Sequence, residues 1–359
     1  MKSVGFPKEK PIERALARTR GKKFLVLGIL AGLFLILFFA SFFIGPSNLT
    51  FSESFLALFG NGTKSAVRIM QKLRLPHALA AVCVGGALGV SGLMMQTSLR
   101  NEMASPATLG ASNAAALGAS IAIITITNGS TTSSSYAVAS NPYVVSLVAL
   151  AFALGSVALV LFIGVFARFR PSEIILAGIA LGALFQGVSV LIQYFADDVQ
   201  LGAVLHWTFG DLERVTMGEN AILGVVVGAC FLVLMLFANR FNALSGGDSF
   251  AKSVGVHVGW LRILALFLAS LLAAVAISFA GIIGFLGIIA PHIMKRFLGY
   301  DHRYLLPGTL LCGAALLLAF DILTRLIGQS TLLPVGAVTA LVGAPLFLFI
   351  LFSRRGKQA

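Results

Sequence analysis

From Met103 to Ala167 the chain runs without one Asp, Glu, Lys or Arg, and from Ile263 to Met294 it does so again. Water-soluble domains interrupt apolar stretches with charge, because about a quarter of their residues are ionised. Here only 11% are charged and 58% are hydrophobic, with a mean hydropathy of +0.96. Runs of this length have one comfortable solvent, the hydrocarbon of a bilayer, and there the backbone must satisfy itself as helix or closed barrel. The fold class expected is all-α and polytopic.

A spanning helix takes about 20 apolar residues. Cutting the charge-free stretches at polar loops gives ten expected spans. The first is Phe24–Gly45, followed by one at about 76–98. Two lie between 103 and 167, separated by the Ser/Thr-rich loop around 130–135 and Asn141-Pro142. Others fall at 173–196, 219–238, 303–326 and 334–352. The stretch 263–294 is long for one helix, and Ala280-Gly-Ile-Ile-Gly284 offers a break, so two short helices joined by a tight turn are expected there. No small-residue cleavage site follows the basic tail, so the first helix is expected to be retained. The organisation is then a basic tail at 1–23, one membrane domain at 24–352 with a long loop at 239–260, and a short tail at 353–359.

Charge sets the orientation. The formal charge is +13, and on a membrane chain basic excess reads first as topology rather than as nucleic-acid binding. With both termini cytoplasmic, twenty Lys and Arg fall inside and six outside. Four of the six, Lys64, Arg68, Lys72 and Arg74, crowd into one external segment. Lys64, Arg68 and Lys72 stand at i, i+4 and i+8, one face of a helix, which suits either lipid headgroups or an acidic soluble partner.

Several chemistries lack the residues they need. Cys83, Cys230 and Cys312 sit in apolar runs without C-x-x-C spacing, so neither a disulfide framework nor a metal site is indicated. Gly60-Asn-Gly-Thr-Lys-Ser65 misses the G-x-x-x-x-G-K-[ST] pattern and follows no strand, so it is not a phosphate loop. Gradient-driven carriers place ionisable groups at mid-membrane, and only Asp321 lies clearly inside a span. Four residues on, Arg325 shares its helix face, fitting a structural pair, a docking or gating role, or a proton relay. His292 after Pro291 reads as a helix-end hydrogen-bonder before a metal ligand. Gly85, Gly86, Gly89, Gly92, Gly178 and Gly182 read as close-packing positions, or as lining of a wide path.

In the loop at 239–260, Ser249–Val254 can form a short helix. Asp248 stands at its dipole-favoured N-terminus and Gly255 at its stop. Such a piece serves equally as a capped interfacial helix or as a transmitter of a partner's movement.

These residues together resemble the FecCD/BtuC-type permease subunits of iron-siderophore, haem and vitamin B12 ABC importers. The resemblance is carried by Arg74-Leu-Pro76, Gly85–Gly92, Gln96 with Leu99-Arg-Asn101, and Ala104–Gly110. It continues through Leu176–Gly182, Gly247–Gly255, Ala280–Ile293, Asp301-His-Arg303, Asp321 with Arg325, and Leu333–Pro345. It implies about ten helices in the type II ABC importer permease fold and a second permease subunit, identical or closely related. It also implies cytoplasmic ATP-binding subunits and an extracytoplasmic substrate-binding protein. Such a chain catalyses nothing and binds no cofactor directly; ATP acts through the partner.

By the same resemblance Gly247, Asp248, Ala251 and Gly255 belong to the ATPase-coupling loop. Arg74 and Arg325, helped by Lys72 and His77, dock the binding protein, and Ser172 lies at the cytoplasmic gate. The chain departs from the family pattern where His77 replaces a second external arginine, Glu102 and Ile282 replace prolines, and Asp248 replaces a glutamate. Pro171 beside the gate serine is a further departure. The implied localisation is a prokaryotic cytoplasmic membrane.

Overall fold

The computed structural model describes residues 10–45, 49–127, 142–166, 170–328 and 333–355. The Ser/Thr-rich loop, Arg168 and the outermost parts of both tails lie outside the described residues. Among the described residues the chain is helical throughout, without strands. Seven helices are long and apolar enough to cross a bilayer.

The first is α1 (Lys10–Phe43), whose 34 residues extend well beyond a roughly 30 Å hydrocarbon layer at 1.5 Å per residue. Two short helices follow, α2 (Phe51–Leu58) and α3 (Lys64–Arg68). Thr50 and Glu53 cap α2 reciprocally, each side chain bonding the other's backbone N–H. From Lys64 onward the helix does not stop: a π-helical turn at Ile69–Arg74 leads directly into α4 (Leu75–Leu99). The charges at 64–74, whose i, i+4, i+8 spacing suits one face of a helix, do ride on a helix, and it continues beyond the apolar span.

Helix α4 is the axis of the molecule; 83% of its apolar window is buried against other parts of the chain. Hydrophobicity cannot drive this inside a bilayer, so close backbone contact must. Gly85 and Gly89 of α4 lie against Gly313 and Thr309 of α14 (His302–Gly328), and Gly92 lies against Gly287 of α13 (Leu286–Leu298). Around this core stand α5 (Ala111–Thr127), α6 (Pro142–Phe166), α7 (Pro171–Tyr194), α9 (Met217–Leu236) and α12 (Val258–Ala280), with α15 (Val335–Arg355) last. The connections hold α8 (Asp198–Thr208), α10 (Ala238–Ser245) and α11 (Asp248–Ser253).

The ten expected spans all correspond to helices, with one correction. The stretch 263–294 does not divide into two short helices. Instead α12 is a full 23-residue span beginning at Val258, and only α13, at 13 residues, is short. Cutting at charge misplaced the start, because Arg262 is buried and paired inside the helix. The break itself is where the glycines put it. Gly281 has φ +75°, and a Cβ there would stand 2.5 Å from the Trp207 carbonyl oxygen.

Candidate functional site

Two polar clusters occupy opposite ends of the bundle, and α4 runs from one to the other. The end that carries Lys23 is called the basic end here.

At the basic end the 239–260 segment folds as α10 and α11. Helix α11 spans Asp248–Ser253, one residue earlier than the Ser249–Val254 expected from Asp248 and Gly255. Gly247 has φ +119° and Gly255 φ +81°, conformations that favour glycine. Ala251 is fully buried under the helix, and its N–H donates to Gly247 O at 2.8 Å. Asp248 turns toward α12, with its side chain 38% exposed. Nη2 of Arg262 donates to both its carboxylate oxygens, at 3.0 and 3.2 Å, and Arg100 Nη1 lies 3.6 Å away. Phe250 on α11 and Val254 at its C-cap, four residues apart, are large apolar side chains left exposed there.

A second knot holds the same end. Asn242 of α10 donates to Asp301 Oδ1 at 2.9 Å and accepts from the His302 N–H at 2.7 Å. Lys23 of α1 approaches Asp301 at 3.7 Å. Burial pushes the Asp301 carboxyl up, but hydrogen bonds from Arg303 and Asn242 outweigh it and hold it well below the usual carboxylate range. Asp301 thus stays ionised and keeps α10, α1 and α14 together.

At the opposite end His77 Nε2 lies 2.6 Å from Asp321 Oδ1, and Arg325 Nη2 donates to Asp321 Oδ2 at 2.6 Å. The i,i+4 pair read from the sequence is therefore present, with a third member from α4. Arg325 also donates to the carbonyls of Ser41 at 3.0 Å and Ile44 at 3.2 Å, and Arg74 donates to that of Phe42. The end of α1 lies across both arginines. Arg74 is 6% exposed, His77 8%, and the Arg325 side chain 8%. Glu213, in the connection between α8 and α9, stands 3.9 Å from His77. Burial raises the Glu213 carboxyl, and the facing imidazole of His77 opposes that shift.

The four docking candidates thus divide. Arg74, His77 and Arg325 gather into one buried network, whereas Lys72 is exposed on the π turn beside Arg68 and Lys64, also exposed. Ser172 is exposed in the first turn of α7. Sequence reasoning did not find Arg262 as the partner of Asp248, nor His77 and Glu213 as neighbours of Asp321. The His77–Asp321 contact joins positions 244 apart, and no local pattern announces such a pair.

Comparison with known proteins agrees with this architecture. Residues 33–353 match the model of the FecCD transport family. A Methanocaldococcus jannaschii protein described as an ABC transporter permease is 40% identical over 92% of this chain and 95% of its own. The hemin transport system permease protein HmuU of Yersinia pestis is 33% identical, covering 93% and 97%. The Fe(3+) dicitrate transport system permease protein FecC of Escherichia coli is 34% identical, covering 80% and 84%. Among solved structures, an inward-facing conformation of a metal-chelate type ABC transporter superposes with a TM-score of 0.79 at 29% identity. That match covers 91% of this chain and 99% of the other. A multi-pass, ABC importer permease architecture follows, and the chain belongs to the FecCD transport family.

Proposed function

We propose that this chain carries a ferric siderophore across the cytoplasmic membrane of a prokaryote. It works with a second permease subunit, cytoplasmic ATP-binding subunits and an extracytoplasmic binding protein. The basic end faces the cytoplasm, as the distribution of Lys and Arg favours, and both termini lie there. The reading is carried by one observation: a folded 247–255 loop at the basic end and a cationic cluster at the other, joined by the single helix running from Lys64 to Leu99. Iron-chelate cargo is supported by related permeases named for ferric dicitrate and hemin, and vitamin B12, for which equally similar permeases are named, is the alternative cargo. Movement is alternating access: ATP-driven closure of the partners acts on the 247–255 loops and shifts the population between two states.

The test is uptake by proteoliposomes that hold the chain with its ATP-binding subunits and binding protein. They are offered iron-labelled ferric hydroxamate, ferric dicitrate, hemin and cobalamin. An iron chelate is expected to accumulate only with internal ATP. Accumulation by the chain alone, driven by a pH or sodium difference, would reject the reading.

The exposed cations permit a second measurement. Reversing Arg68 and Lys72 to glutamate is expected to slow association with the binding protein about tenfold at low salt, and far less at high salt. Equal rates for wild type and variant at low salt would show that this stripe meets lipid headgroups instead.

A further inference from the structure

We propose that Arg262 is the positioning residue that makes the 247–255 loop and the end of α4 move as one body. The Asp248 carboxylate, through its bonds to Arg262, then serves as a tether from α11 to α12 and α4. The inference rests on the coupling role given to that loop above.

One guanidinium joins three elements. Arg262 lies in the second turn of α12 and is 3% exposed. Its Nη2 holds both oxygens of Asp248 on α11, at 3.0 and 3.2 Å. Its Nε donates to Ser98 O on α4 at 2.9 Å. Ser98 belongs to the last turn of α4, where carbonyls lack the donor that a continuing helix supplies, and where positive charge is favoured. A planar fork with donors along two edges can serve a carboxylate and a carbonyl together. A lysine ammonium, on a flexible stem, cannot reproduce that geometry.

Arg100 completes the bracket. It adopts φ +49° as the C-cap of α4 and reaches back to Asp248 at 3.6 Å. A Cβ on Gly247 would lie 2.8 Å from its Nη2. That Nη2 is the end of a flexible side chain and can give way, so it is the backbone angle of Gly247, φ +119°, that requires glycine.

The other face of α11 carries what a partner can touch. Phe250 and Val254, each 53% exposed and four residues apart, point away from the tether, with Ser249 and Lys252 exposed beside them. Force applied to that apolar pair reaches α4 through Asp248 and Arg262. Because α4 is continuous with the helix that begins at Lys64, it is carried toward the His77–Asp321 cluster.

Hydrogen–deuterium exchange tests this without knowledge of the cargo. In the full chain alone in nanodiscs, the amides of Ala251, Val254 and Val256 are hydrogen-bonded and report on α11. Arg262→Met is expected to speed their exchange at least tenfold. Arg262→Lys is expected to recover less than half of that loss on a logarithmic scale, and Arg296→Met, at an exposed arginine in the last turn of α13, to leave it unchanged.

In the complex with ATP-binding subunits trapped by ATP and orthovanadate, residues 249–254 of Arg262→Met should remain protected. The response of residues 94–101 to trapping should fall by at least half. A response at 94–101 equal to wild type overturns the proposal, as does an Arg262→Lys variant that behaves as wild type in both measurements. If the wild-type loop gains no protection from the ATP-binding subunits, the coupling role fails. The tether is then still decided by exchange in the chain alone.

Discussion

Leucine in place of Gly92 is expected to leave no folded, monodisperse protein in detergent. A Cβ at this position would stand 1.7 Å from the carbonyl oxygen of Gly287, 2.4 Å from its carbon and 2.6 Å from its Cα. All three are backbone atoms, so no side-chain rotation relieves the clash; α4 and α13 must separate. Overpacking a core ordinarily costs about 1–3 kcal/mol, where side chains can adjust. Here the opposing wall is rigid, and the cost exceeds that range.

Gly92→Ala already adds the offending atom and should lower the thermal midpoint by the larger part of the effect. Gly155→Ala is the control: nothing lies within 4 Å of its Cβ position, and alanine favours helix by about 1 kcal/mol over glycine. Size-exclusion profiles and thermal midpoints of the three variants decide the matter. A folded Gly92→Leu protein with a wild-type midpoint would mean that α4 and α13 do not meet as described.

The same contact shows where sequence reasoning reaches and where it stops. Gly85, Gly89 and Gly92 announce close packing, since small residues at helical spacing leave room for a neighbouring backbone. They do not name the neighbour. That Gly85 meets Gly313 and Gly92 meets Gly287 depends on the bundle's topology, which brings together residues about 200 positions apart. Helix α11 was legible almost to the residue, because Gly247 and Gly255 bracket it and both have positive φ.

Helix ends defined by charge were less secure, and for a physical reason. An arginine ends an apolar stretch only if it must reach water, and Arg262 instead finds Asp248 and the Ser98 carbonyl. The cationic cluster was legible as a set of positions and not as a surface. Neither the i,i+4 spacing of Asp321 and Arg325 nor the motif around Arg74 shows that Ser41, Phe42 and Ile44 lie across them.

That burial separates two roles which a single charge reversal would confound. Arg325→Met leaves the Asp321 carboxylate, 2% exposed, with His77 as its remaining charge-bearing partner. Breaking a buried ion pair from one side costs about 3–5 kcal/mol, because the surviving charge has lost its compensation. The variant should unfold at markedly lower temperature in detergent.

Asp321→Leu combined with Arg325→Met removes both charges and should recover most of that loss, since apolar replacement of a buried pair is often neutral. What remains is the loss of the Arg325 hydrogen bonds to Ser41 O and Ile44 O and of the buried His77–Asp321 contact, about 1 kcal/mol each. The double variant therefore supplies a folded protein without these charges. If the cluster docks the binding protein directly, the double variant loses affinity although it is stable. If the cluster chiefly ties the end of α1 to α4 and α14, docking survives and passes to the exposed Lys72 stripe. A double variant no more stable than Arg325→Met would show that the pair is not the buried, mutually compensated unit its distances describe.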